Sequence, residues 1–450
     1  MTANQPPAAP LPRVAVIGLG YVGLPLAHAF VRAGLEVIGI DTDPAKADAL
    51  MARPPRPYLK HLGESVYSEL ATAASAGRFV ATTDHSTLAR AQAIIVCVPT
   101  PLDEHHKPDL SYVTRAGEAI AKHVRFGGDA PPLLVLESTS YPGTTRDDFL
   151  APLRAARPEL ALGTDYFGAF SPEREDPGNK QFSTTQIPKL VGGLDAASTA
   201  RAVALYGLAF TSVIPTSSAE VAEAAKLLEN IFRSVNIALV NELKVVFEAM
   251  GIDIWEVIAA AKTKPFGFMP FYPGPGLGGH CIPIDPFYLS WKAEQIGVAS
   301  RFIELAGVVN TRMPQMVVGK VLGALGARRI ATHEARVLII GMAYKPDIDD
   351  VRESPSFVLI QSLQDAGVSV DYHDPLVART HAGRKHDLGM ASVVLDAESV
   401  ASYHAVVIAT AHSSIDYGLL AQHARVIIDT RNAIGSRGLD VAMGERLIRA

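Results

Sequence analysis

A cysteine within a glycine- and proline-rich stretch is the first candidate for chemistry in this sequence. The stretch covers residues 273–286, Pro-Gly-Pro-Gly-Leu-Gly-Gly-His-Cys-Ile-Pro-Ile-Asp-Pro, and Asp285 lies four residues after Cys281. This composition fits neither a helix nor a strand and predicts a sharply turning loop that exposes the thiol. Because a cysteine attacks as its thiolate and glycines let a substrate approach, the loop could carry a nucleophile. An incidental thiol in a structural loop is the alternative.

The composition indicates a globular protein of two or three domains, since 450 residues are too many for one compact core. Apolar residues make up 48% and charged residues 19%, and the formal net charge of -5 disfavours nucleic acid as a partner. No apolar run reaches the roughly 18 residues that a membrane span requires. Residues 1–12 lack an apolar core, and we expect a disordered arm there and no signal peptide.

The two cysteines, Cys97 and Cys281, are too few for a disulfide framework, so the sequence predicts a reducing, cytoplasmic location. Cys97 lies in Ala-Ile-Ile-Val-Cys-Val, a pattern typical of a buried strand, and we expect it to be an inert packing residue. Only Cys281 therefore remains a candidate for catalysis.

A glycine fingerprint near the N-terminus predicts a dinucleotide-binding fold. An apolar run over residues 13–17 leads into Gly18-Leu-Gly-Tyr-Val-Gly23 and then into a helical pattern, and a second apolar run ends at Asp41, 23 positions after Gly18. In this strand–turn–helix context the helix N-terminus faces a pyrophosphate, and Gly20 lets the backbone come close. The carboxylate of Asp41 would accept ribose hydroxyls and repel a 2′-phosphate, which favours NAD over NADP. Lys46 could reach the same ribose or be an ordinary exposed lysine.

Polar residues follow three further apolar runs of this domain. Thr100, Thr139 and Glu173 come after the runs over residues 93–98, 133–136 and 166–170. Ligands of open parallel sheets bind at the carboxyl ends of the strands, so three such residues together favour a site. Each of them alone could equally be a turn or cap residue.

A long helix carries a second candidate group. Ser217 and Glu220 form the pattern of a capping box, and the helical periodicity then continues to Met250. A helix of roughly 33 residues, about 50 Å long, usually bridges domains or forms a dimer spine. Lys226 and Asn230 are four residues apart on one side of it and could donate to a developing oxyanion. A solvated helix face is the alternative, which the residues alone favour.

The C-terminal part repeats the α/β pattern. A helical pattern over residues 301–325 precedes an apolar run that ends at Gly341, and this second unit has no G-x-G-x-x-G. Lys345 and Arg352 are cations where an anionic ligand could sit, or surface charges. The predicted fold class is therefore α/β, with two Rossmann-like doubly wound domains joined by a long central helix.

Together these motifs resemble the UDP-glucose/GDP-mannose dehydrogenase family of nucleotide-sugar 6-dehydrogenases over nearly the whole chain. The motifs that carry the resemblance are residues 18–25, Ser171-Pro-Glu, the Lys226/Asn230 helix, residues 278–283 and residues 345–354. The resemblance implies a first domain that binds NAD, a second that binds the nucleotide of the sugar, and a dimerising helix between them. It also implies oxidation of the sugar C6 alcohol to a carboxylate with two NAD per turnover. We accordingly expect an arm over residues 1–12, an NAD-binding domain over 13–210, a central helical dimerisation domain with the cysteine loop over 211–328, and a UDP-sugar-binding domain over 329–450.

The resemblance also implies a role for each candidate residue. Cys281 looks like the nucleophile that captures the C6 aldehyde as a thiohemiacetal, which becomes a thioester that water hydrolyses. Lys226 and Asn230 look like the oxyanion donors, and Asp285 looks like the residue that works with an ordered water as base, with Thr139 and Glu173 nearby. The NAD-contacting positions are Gly18, Gly20, Tyr21, Val22, Gly23, Asp41, Lys46, Thr100, Thr139, Glu175 and Arg352. The substrate-contacting positions are Glu173, Arg174, Lys226, Asn230, Arg233, Phe271, Tyr272, Pro273, Gly274, Gly278 and Lys345; no metal is expected.

Two departures narrow the expected sugar. Ile284 stands where UDP-glucose members carry a lysine, and Ser-Pro-Glu is followed by Arg-Glu-Asp-Pro-Gly-Asn over residues 174–179. Both resemble the UDP-N-acetylhexosamine branch, particularly UDP-N-acetylglucosamine 6-dehydrogenases, and Arg174 and Arg233 are the candidates for handling the 2-acetamido sugar. The alternatives are dehydrogenases of UDP-N-acetylmannosamine, UDP-glucose or GDP-mannose. From another class, a nucleotide-sugar binding protein without catalysis would have no use for the thiol. A homodimer or higher homo-oligomer is expected.

Overall fold

The computed structural model describes residues 12–59, 62–103, 107–174, 184–279, 282–380 and 388–450. Cys281, Glu175 and all but the last residue of the predicted arm lie outside the described residues. The chain divides into two compact units, residues 1–228 and 229–450. The finer division predicted from the sequence stays a prediction.

The first unit is built on one sheet in which, among the described residues, eight strands run in the order β3-β2-β1-β4-β5-β6-β7-β8. The strands are β1 (Val14–Ile17), β2 (Val37–Ile40), β3 (Phe79–Thr82), β4 (Ala93–Val96), β5 (Leu133–Leu136), β6 (Phe167–Phe170), β7 (Lys189–Gly193) and β8 (Val213–Pro215). Strands β1 to β6 pair in parallel, whereas β7 runs antiparallel to β6. The order 3-2-1-4-5-6 is that of dinucleotide-binding sheets.

Both faces of this sheet are covered, which explains why its strands read as continuous apolar runs. Val14 and Val16 pack into one core and Ala15 and Ile17 into another, as the alternation of side chains along a strand requires. The helices that cover it are α1 (Gly23–Arg32), α2 (Pro44–Met51), α3 (Glu64–Ser75), α4 (Ser111–His123), α5 (Ala151–Ala156) and α6 (Ala196–Tyr206). A short π-helical turn, Thr145–Phe149, precedes α5.

Helix α7 (Ala219–Ala249) is 31 residues long, close to the predicted length. Its predicted capping box is wrong in one detail. The helix begins at Ala219, so the preceding Ser218, rather than Ser217, caps it, and the Ser218 Oγ accepts a hydrogen bond from the backbone N–H of Val221 at 3.3 Å.

The second unit contains a sheet of five strands in the part of the chain that the structure describes, in the order β10-β9-β11-β12-β13 and parallel throughout. The strands are β9 (Arg336–Ile340), β10 (Ser369–His373), β11 (Ala405–Ile408), β12 (Ile427–Asp429) and β13 (Leu447–Arg449). The helices are α8 (Ile254–Ala261), α9 (Asp285–Gln295), α10 (Arg301–Ala327), α11 (Pro355–Asp365), α12 (Ala397–Ser402), α13 (Tyr417–His423) and α14 (Asp440–Met443). The two sheets confirm the predicted α/β class.

One part of the predicted catalytic loop is helical. Asp285 and Pro286 are the first residues of α9 and not the end of an irregular stretch. Proline fits the first turn of a helix, where its missing N–H would have no partner in the helix, and an acid is favoured there by the helix dipole. Helix α8 was not predicted. No helix among the described residues combines the length and the apolar character needed to cross a membrane.

Candidate functional site

The glycine-rich turn after β1 requires glycine at two of its positions. Gly18 has a φ of 95°, and a Cβ there would lie 2.3 Å from the carbonyl oxygen of Cys97. A Cβ on Gly23 would lie 1.8 Å from the carbonyl oxygen of Gly18, so α1 can start close to the strand only with glycine at this position. A Cβ on Gly20 would meet nothing within 4 Å, which leaves open space at the turn for a ligand. This geometry fits a pyrophosphate at the start of α1.

Asp41 connects this turn to the end of β2. Its Oδ2 accepts hydrogen bonds from the backbone N–H of Leu19 at 2.8 Å and from Lys46 Nζ at 2.9 Å, and its Oδ1 accepts from the N–H of Asp43 at 3.0 Å. The carboxylate predicted for the ribose therefore also holds the glycine-rich turn in place. The Tyr58 hydroxyl donates to the carbonyl of Leu19 at 2.9 Å, and burial raises the pKa of this tyrosine.

The structure brings two predicted site residues of the first unit together. Lys226 Nζ donates to the carbonyl oxygen of Glu173 at 3.2 Å and lies 3.5 Å from the Oε2 of the same residue. Lys226 is buried on α7, so the sequence alternative of a solvated helix face does not hold for this residue. Thr100 and Thr139 are buried in the loops after β4 and β5.

A buried ionic cluster near the carboxyl ends of β4 and β5 was not predicted from the sequence. The Lys189 ammonium lies 2.8 Å from Glu137 Oε2, both side chains are buried, and the Tyr206 hydroxyl donates to Glu137. Cys97 is also buried there, as predicted; burial and then the charge of Glu137 raise the pKa of its thiol well above the usual range, which makes it inert. The signal that could have identified this pair is a charged residue directly after one apolar strand, Glu137 after β5, and another at the start of a second strand, Lys189 in β7.

A small cavity of about 20 Å³ adjoins this cluster, large enough for one water molecule. Its lining includes Glu137, Lys189, Glu173 and Arg174. Arg174, a predicted candidate for handling the 2-acetamido sugar, donates through Nη1 to the carbonyl oxygen of Pro188 at 2.8 Å.

In the second unit the structure brings Asn230 and Asp285 together. Asn230 Nδ2 donates to Asp285 Oδ2 at 2.6 Å, and the aspartate is buried in the first turn of α9. The amide predicted as an oxyanion donor thus also orients the predicted base. Arg233, one helical turn further along α7, is exposed.

The stretch predicted to contact the substrate, residues 271–274, is held by buried amides that the sequence did not reveal. The N–H of Gly274 donates to Asn241 Oδ1 at 3.0 Å, and Asn241 Nδ2 donates to Asn310 Oδ1 at 2.9 Å. Asn310 donates in turn to the carbonyl oxygen of Ser234 at 3.1 Å. This chain ties the loop to α7 and α10.

Arg431 is a further cation that the sequence analysis missed. It follows β12, its Nε donates to the carbonyl oxygen of Ala409 at 2.8 Å, and burial lowers its pKa to about 10. A Cβ on Gly274 would lie 2.4 Å from its Nη1, so the guanidinium lies directly against the glycine-rich loop. Its position after a strand end was the signal that could have found it.

Aromatic side chains flank the same stretch. Phe271 packs edge-on against Phe232 with the ring centroids 5.5 Å apart. Tyr272 stacks on Trp255 at 5.8 Å with an interplanar angle of 14°. The predicted substrate stretch is therefore packed against α7 and α8.

The segment before the predicted nucleophile is fixed by the loop after β9. The N–H of Gly279 donates to the carbonyl oxygen of Arg352 at 2.9 Å, and a Cβ on Gly278 would lie 2.4 Å from the Cβ of Tyr344. The Arg352 guanidinium is paired with the buried Asp350 carboxylate through Nη2 at 2.6 Å and Nε at 2.9 Å. Lys345 lies half-buried in the same loop.

The fingerprint, the open space at Gly20 and the carboxylate of Asp41 define a dinucleotide-binding domain of the kind that dehydrogenases contain. Comparison with known proteins defines it further. The sequence models of the UDP-glucose/GDP-mannose dehydrogenase family match as an NAD binding domain over residues 12–209, a central domain over 220–312 and a UDP binding domain over 338–436. The chain belongs to this family, and it is an NAD-dependent UDP-sugar dehydrogenase.

Individual relatives differ in the sugar that their names give. A UDP-N-acetyl-D-glucosamine 6-dehydrogenase of Pseudomonas aeruginosa is 36% identical over 406 residues, 89% of this chain and 90% of that protein. A UDP-N-acetyl-D-mannosamine dehydrogenase of Salmonella typhi is 35% identical over 360 residues, 78% of this chain and 82% of the relative. The solved structure of UDP-D-ManNAc dehydrogenase from Pyrococcus horikoshii matches with a TM-score of 0.82 at 31% identity, covering 94% of this chain and 96% of that one.

Proposed function

We propose that the protein oxidises the C6 hydroxyl of UDP-N-acetyl-D-glucosamine to the uronic acid in two NAD-dependent steps. The observation that carries this choice is the 36% identity to a UDP-N-acetyl-D-glucosamine 6-dehydrogenase over 89% of the chain. Ile284 and Arg174, which depart from the UDP-glucose pattern, support the same branch.

The proposed chemistry consumes one alcohol, two NAD+ and one water and yields one carboxylate, two NADH and three protons. NAD supplies the hydride acceptor for both oxidations. The Cys281 thiolate adds to the C6 aldehyde, and the resulting thiohemiacetal loses hydride to give a thioester. Water then breaks the carbon–sulfur bond, which releases the carboxylate and the thiol. The covalent thioester retains the half-finished product while the cofactor is exchanged.

The side chains around the reacting carbon have separate proposed roles. Lys226 and Asn230 donate to the developing oxyanion, and one such donor is typically worth about 3 kcal/mol of barrier. Asp285 acts with a water as base, with Thr139 and Glu173 assisting. The contact of Lys226 with Glu173 and the hydrogen bond of Asn230 to Asp285 support these roles, because each donor already has an oxygen partner that fixes its direction.

We propose that NAD contacts the turn 18–23 with Asp41, Lys46, Thr100 and Thr139, and that Glu175 and Arg352 contribute as well. For the sugar nucleotide we propose Lys345, Arg174, Arg233, residues 271–274 and Gly278, to which the structure adds Arg431. A partly buried guanidinium against Gly274 is suited to a diphosphate, because its donors match phosphate oxygens. The domain limits given above are part of this proposal.

A panel of nucleotide sugars tests the proposal. With UDP-N-acetylglucosamine we expect the highest kcat/KM and two NADH per sugar. Faster turnover of UDP-glucose would overturn the assignment to the UDP-N-acetylhexosamine branch, and one NADH per sugar would mean that the reaction stops at the aldehyde.

C281S should lose turnover yet still bind NAD and the sugar nucleotide. The matched control C97A should keep turnover, because the Cys97 thiol is buried and inert. Unchanged turnover in C281S would contradict the covalent route.

UDP-N-acetylmannosamine is the second candidate substrate. It is favoured by the Salmonella typhi relative at 35% identity and by the Pyrococcus horikoshii structure. The two sugars differ only in the configuration at C2, so the same panel decides between them. Thiolate chemistry requires a reducing compartment, which is consistent with the cytoplasm.

We also propose that the protein forms a homodimer or a higher homo-oligomer through the second unit. Helices α7 and α10 carry apolar residues that are each at least half exposed, namely Leu239, Phe302, Leu305 and Val308. A group of this kind usually marks an interface. F302E combined with L305E should lower the molar mass in sedimentation velocity, whereas V394E, at an exposed valine of another segment, should not. A monomeric unmodified protein would contradict this proposal.

A further inference from the structure

The loop that carries Thr139 is fixed at both of its ends. At its start, the Ser138 Oγ accepts from the N–H of Val98 at 2.9 Å and donates to the carbonyl oxygen of the same residue at 2.8 Å. Further on, the Thr144 hydroxyl donates to the carbonyl oxygen of Tyr141 at 2.7 Å. Between them, the Ser140 Oγ is buried and has no hydrogen-bond partner among the described residues, so a polar group beside Thr139 is left for water or a ligand.

The far end of this loop is bound by a buried carboxylate on α7. Glu223 Oε2 accepts from the N–H of Gly143 at 2.6 Å, and its Oε1 accepts from the N–H of Thr145 at 2.9 Å and from the Thr145 hydroxyl at 2.7 Å. Only 1% of the glutamate is exposed. Charge-assisted hydrogen bonds of this kind are about twice as strong as neutral ones.

The same turn of α7 carries the proposed oxyanion donor. Lys226 lies three residues after Glu223, hence on the same side of the helix, and its ammonium contacts Glu173. Resting on the proposed roles of Thr139 and Lys226, we infer that Glu223 is a positioning residue for the reaction: its carboxylate holds the Thr139 loop at a fixed distance from the turn of α7 that presents Lys226.

Charged groups lie near Glu223 on both elements that meet there. Glu220 is one turn earlier on α7 and raises its pKa, and Arg146 on the loop side pairs with Glu220 at 2.9 Å in a partly exposed contact. Burial is the largest influence and raises the pKa of Glu223 to about 7. An unfolded glutamate has a pKa near 4.5, so the folded state binds the proton more strongly between those values, and stability falls as the pH rises from 4.5 to 7. The ionised carboxylate therefore lowers stability at neutral pH.

The ionised carboxylate of Glu223 thus holds the Thr139 loop in position but lowers stability, and E223Q separates these two effects. We expect kcat at pH 8 to fall roughly tenfold to a hundredfold, because small misplacements of reacting groups have effects of this size. The thermal midpoint at pH 8 should change little, because removal of the buried charge offsets the one backbone hydrogen bond that the glutamine NH2 cannot accept. The fall of kcat on acidification through about pH 7 should disappear as well. A merely structural glutamate would instead lose stability and kcat together and keep the acid limb of the profile.

T145V gives a second measurement that does not remove the charge. The hydroxyl of Thr145 lowers the pKa of Glu223, so its loss should move the acid limb to higher pH while the backbone donors remain. E220Q is the matched control on the same helix: its partly exposed pair with Arg146 contributes little, so kcat at pH 8 should change less than twofold. Because Glu220 raises the pKa of Glu223, its neutralisation should move the acid limb to lower pH, the direction opposite to that of T145V. An acid limb that T145V leaves in place would overturn the inference.

T139A and K226A in the same assay separate the two possible failures. Full turnover in both variants would overturn the proposed site and the positioning role with it. Loss of turnover in both, combined with an acid limb that persists in E223Q, would overturn the positioning role alone.

Discussion

At the scale of single residues, side chains that the sequence suggested for ligands also bind other groups of the protein. Asp41 accepts from Leu19, and Asn230 donates to Asp285. Arg352 is paired with Asp350. Partners of this kind fix the direction of each polar group before a ligand arrives, which is what precise positioning requires. The sequence could indicate the residue types, but not these pairs, because the partners are 22 or 55 residues apart in two of them.

The first prediction at this scale concerns Asp41. In D41N the amide oxygen can still accept a hydrogen bond from the N–H of Leu19. The negative charge, which attracts Lys46 and strengthens the hydrogen bonds from the ribose hydroxyls, is lost. Hydrogen bonds to charged groups are worth about 1.5–3 kcal/mol, so KM for NAD should rise roughly tenfold or more and discrimination against NADP should weaken. Steady-state kinetics with both cofactors measure this. D43N is the control, because the Asp43 side chain caps α2 through the N–H of Ala45 and the backbone N–H that donates to Asp41 is kept. An equal change in both variants would contradict the role of Asp41.

At the scale of elements, periodicity predicted the sheets and both long helices, and contacts between distant segments account for what it missed. The fingerprint predicted the strand, turn and start of α1 because the close approach to Gly18 leaves no other choice of residue. Helix α8 has only eight residues, and α9 starts inside a run of glycines and prolines, so neither shows a clear period. Arg431 lies against Gly274 although 157 residues separate them in sequence.

A glycine substitution tests the contact between Arg431 and the loop at Gly274. G274A would put a Cβ 2.4 Å from Arg431 Nη1, so the partly buried guanidinium, which donates through Nε to the carbonyl oxygen of Ala409, would have to move. We expect a loss of about 1–3 kcal/mol of unfolding free energy and a roughly tenfold rise in KM for the sugar nucleotide. G319A on α10 is the control, since a Cβ there meets nothing within 4 Å and the exchange in a helix should stabilise by about 0.5–1 kcal/mol. If G274A leaves both stability and KM unchanged, the contact has no role in binding.

At the scale of the whole molecule, each unit has the same arrangement after its first strand: a glycine with positive φ and an aspartate that accepts hydrogen bonds from the following N–H groups. The consequence for ligand binding differs between the two units. Gly341 has a φ of 91°, as Gly18 has 95°. Asp374 accepts from the N–H groups of Met342 and Ala343 at 2.7 and 3.0 Å, as Asp41 accepts from Leu19. In the second unit, however, Asp374 is fully buried against His412, so its carboxylate is not available to a ribose. This explains why a second sheet of the same type need not bind NAD.

Helix α7 also buries Lys244, and this lysine should make the stability of the fold depend on pH. Burial, and then Lys320, lower the pKa of Lys244 from 10.5 to about 8, although Glu248 opposes this. Below pH 8 the lysine is charged in both states and its burial destabilises the fold; between pH 8 and 10.5 the folded state releases the proton first, so this loss is recovered as the pH rises. K244M should therefore raise the unfolding free energy by about 3 kcal/mol at pH 7, and the gain should vanish near pH 10.5. K262M, at an exposed lysine, should show no such pH dependence in thermal unfolding. A gain in K244M that is the same at both pH values would show that packing, and not the buried charge, determines the effect.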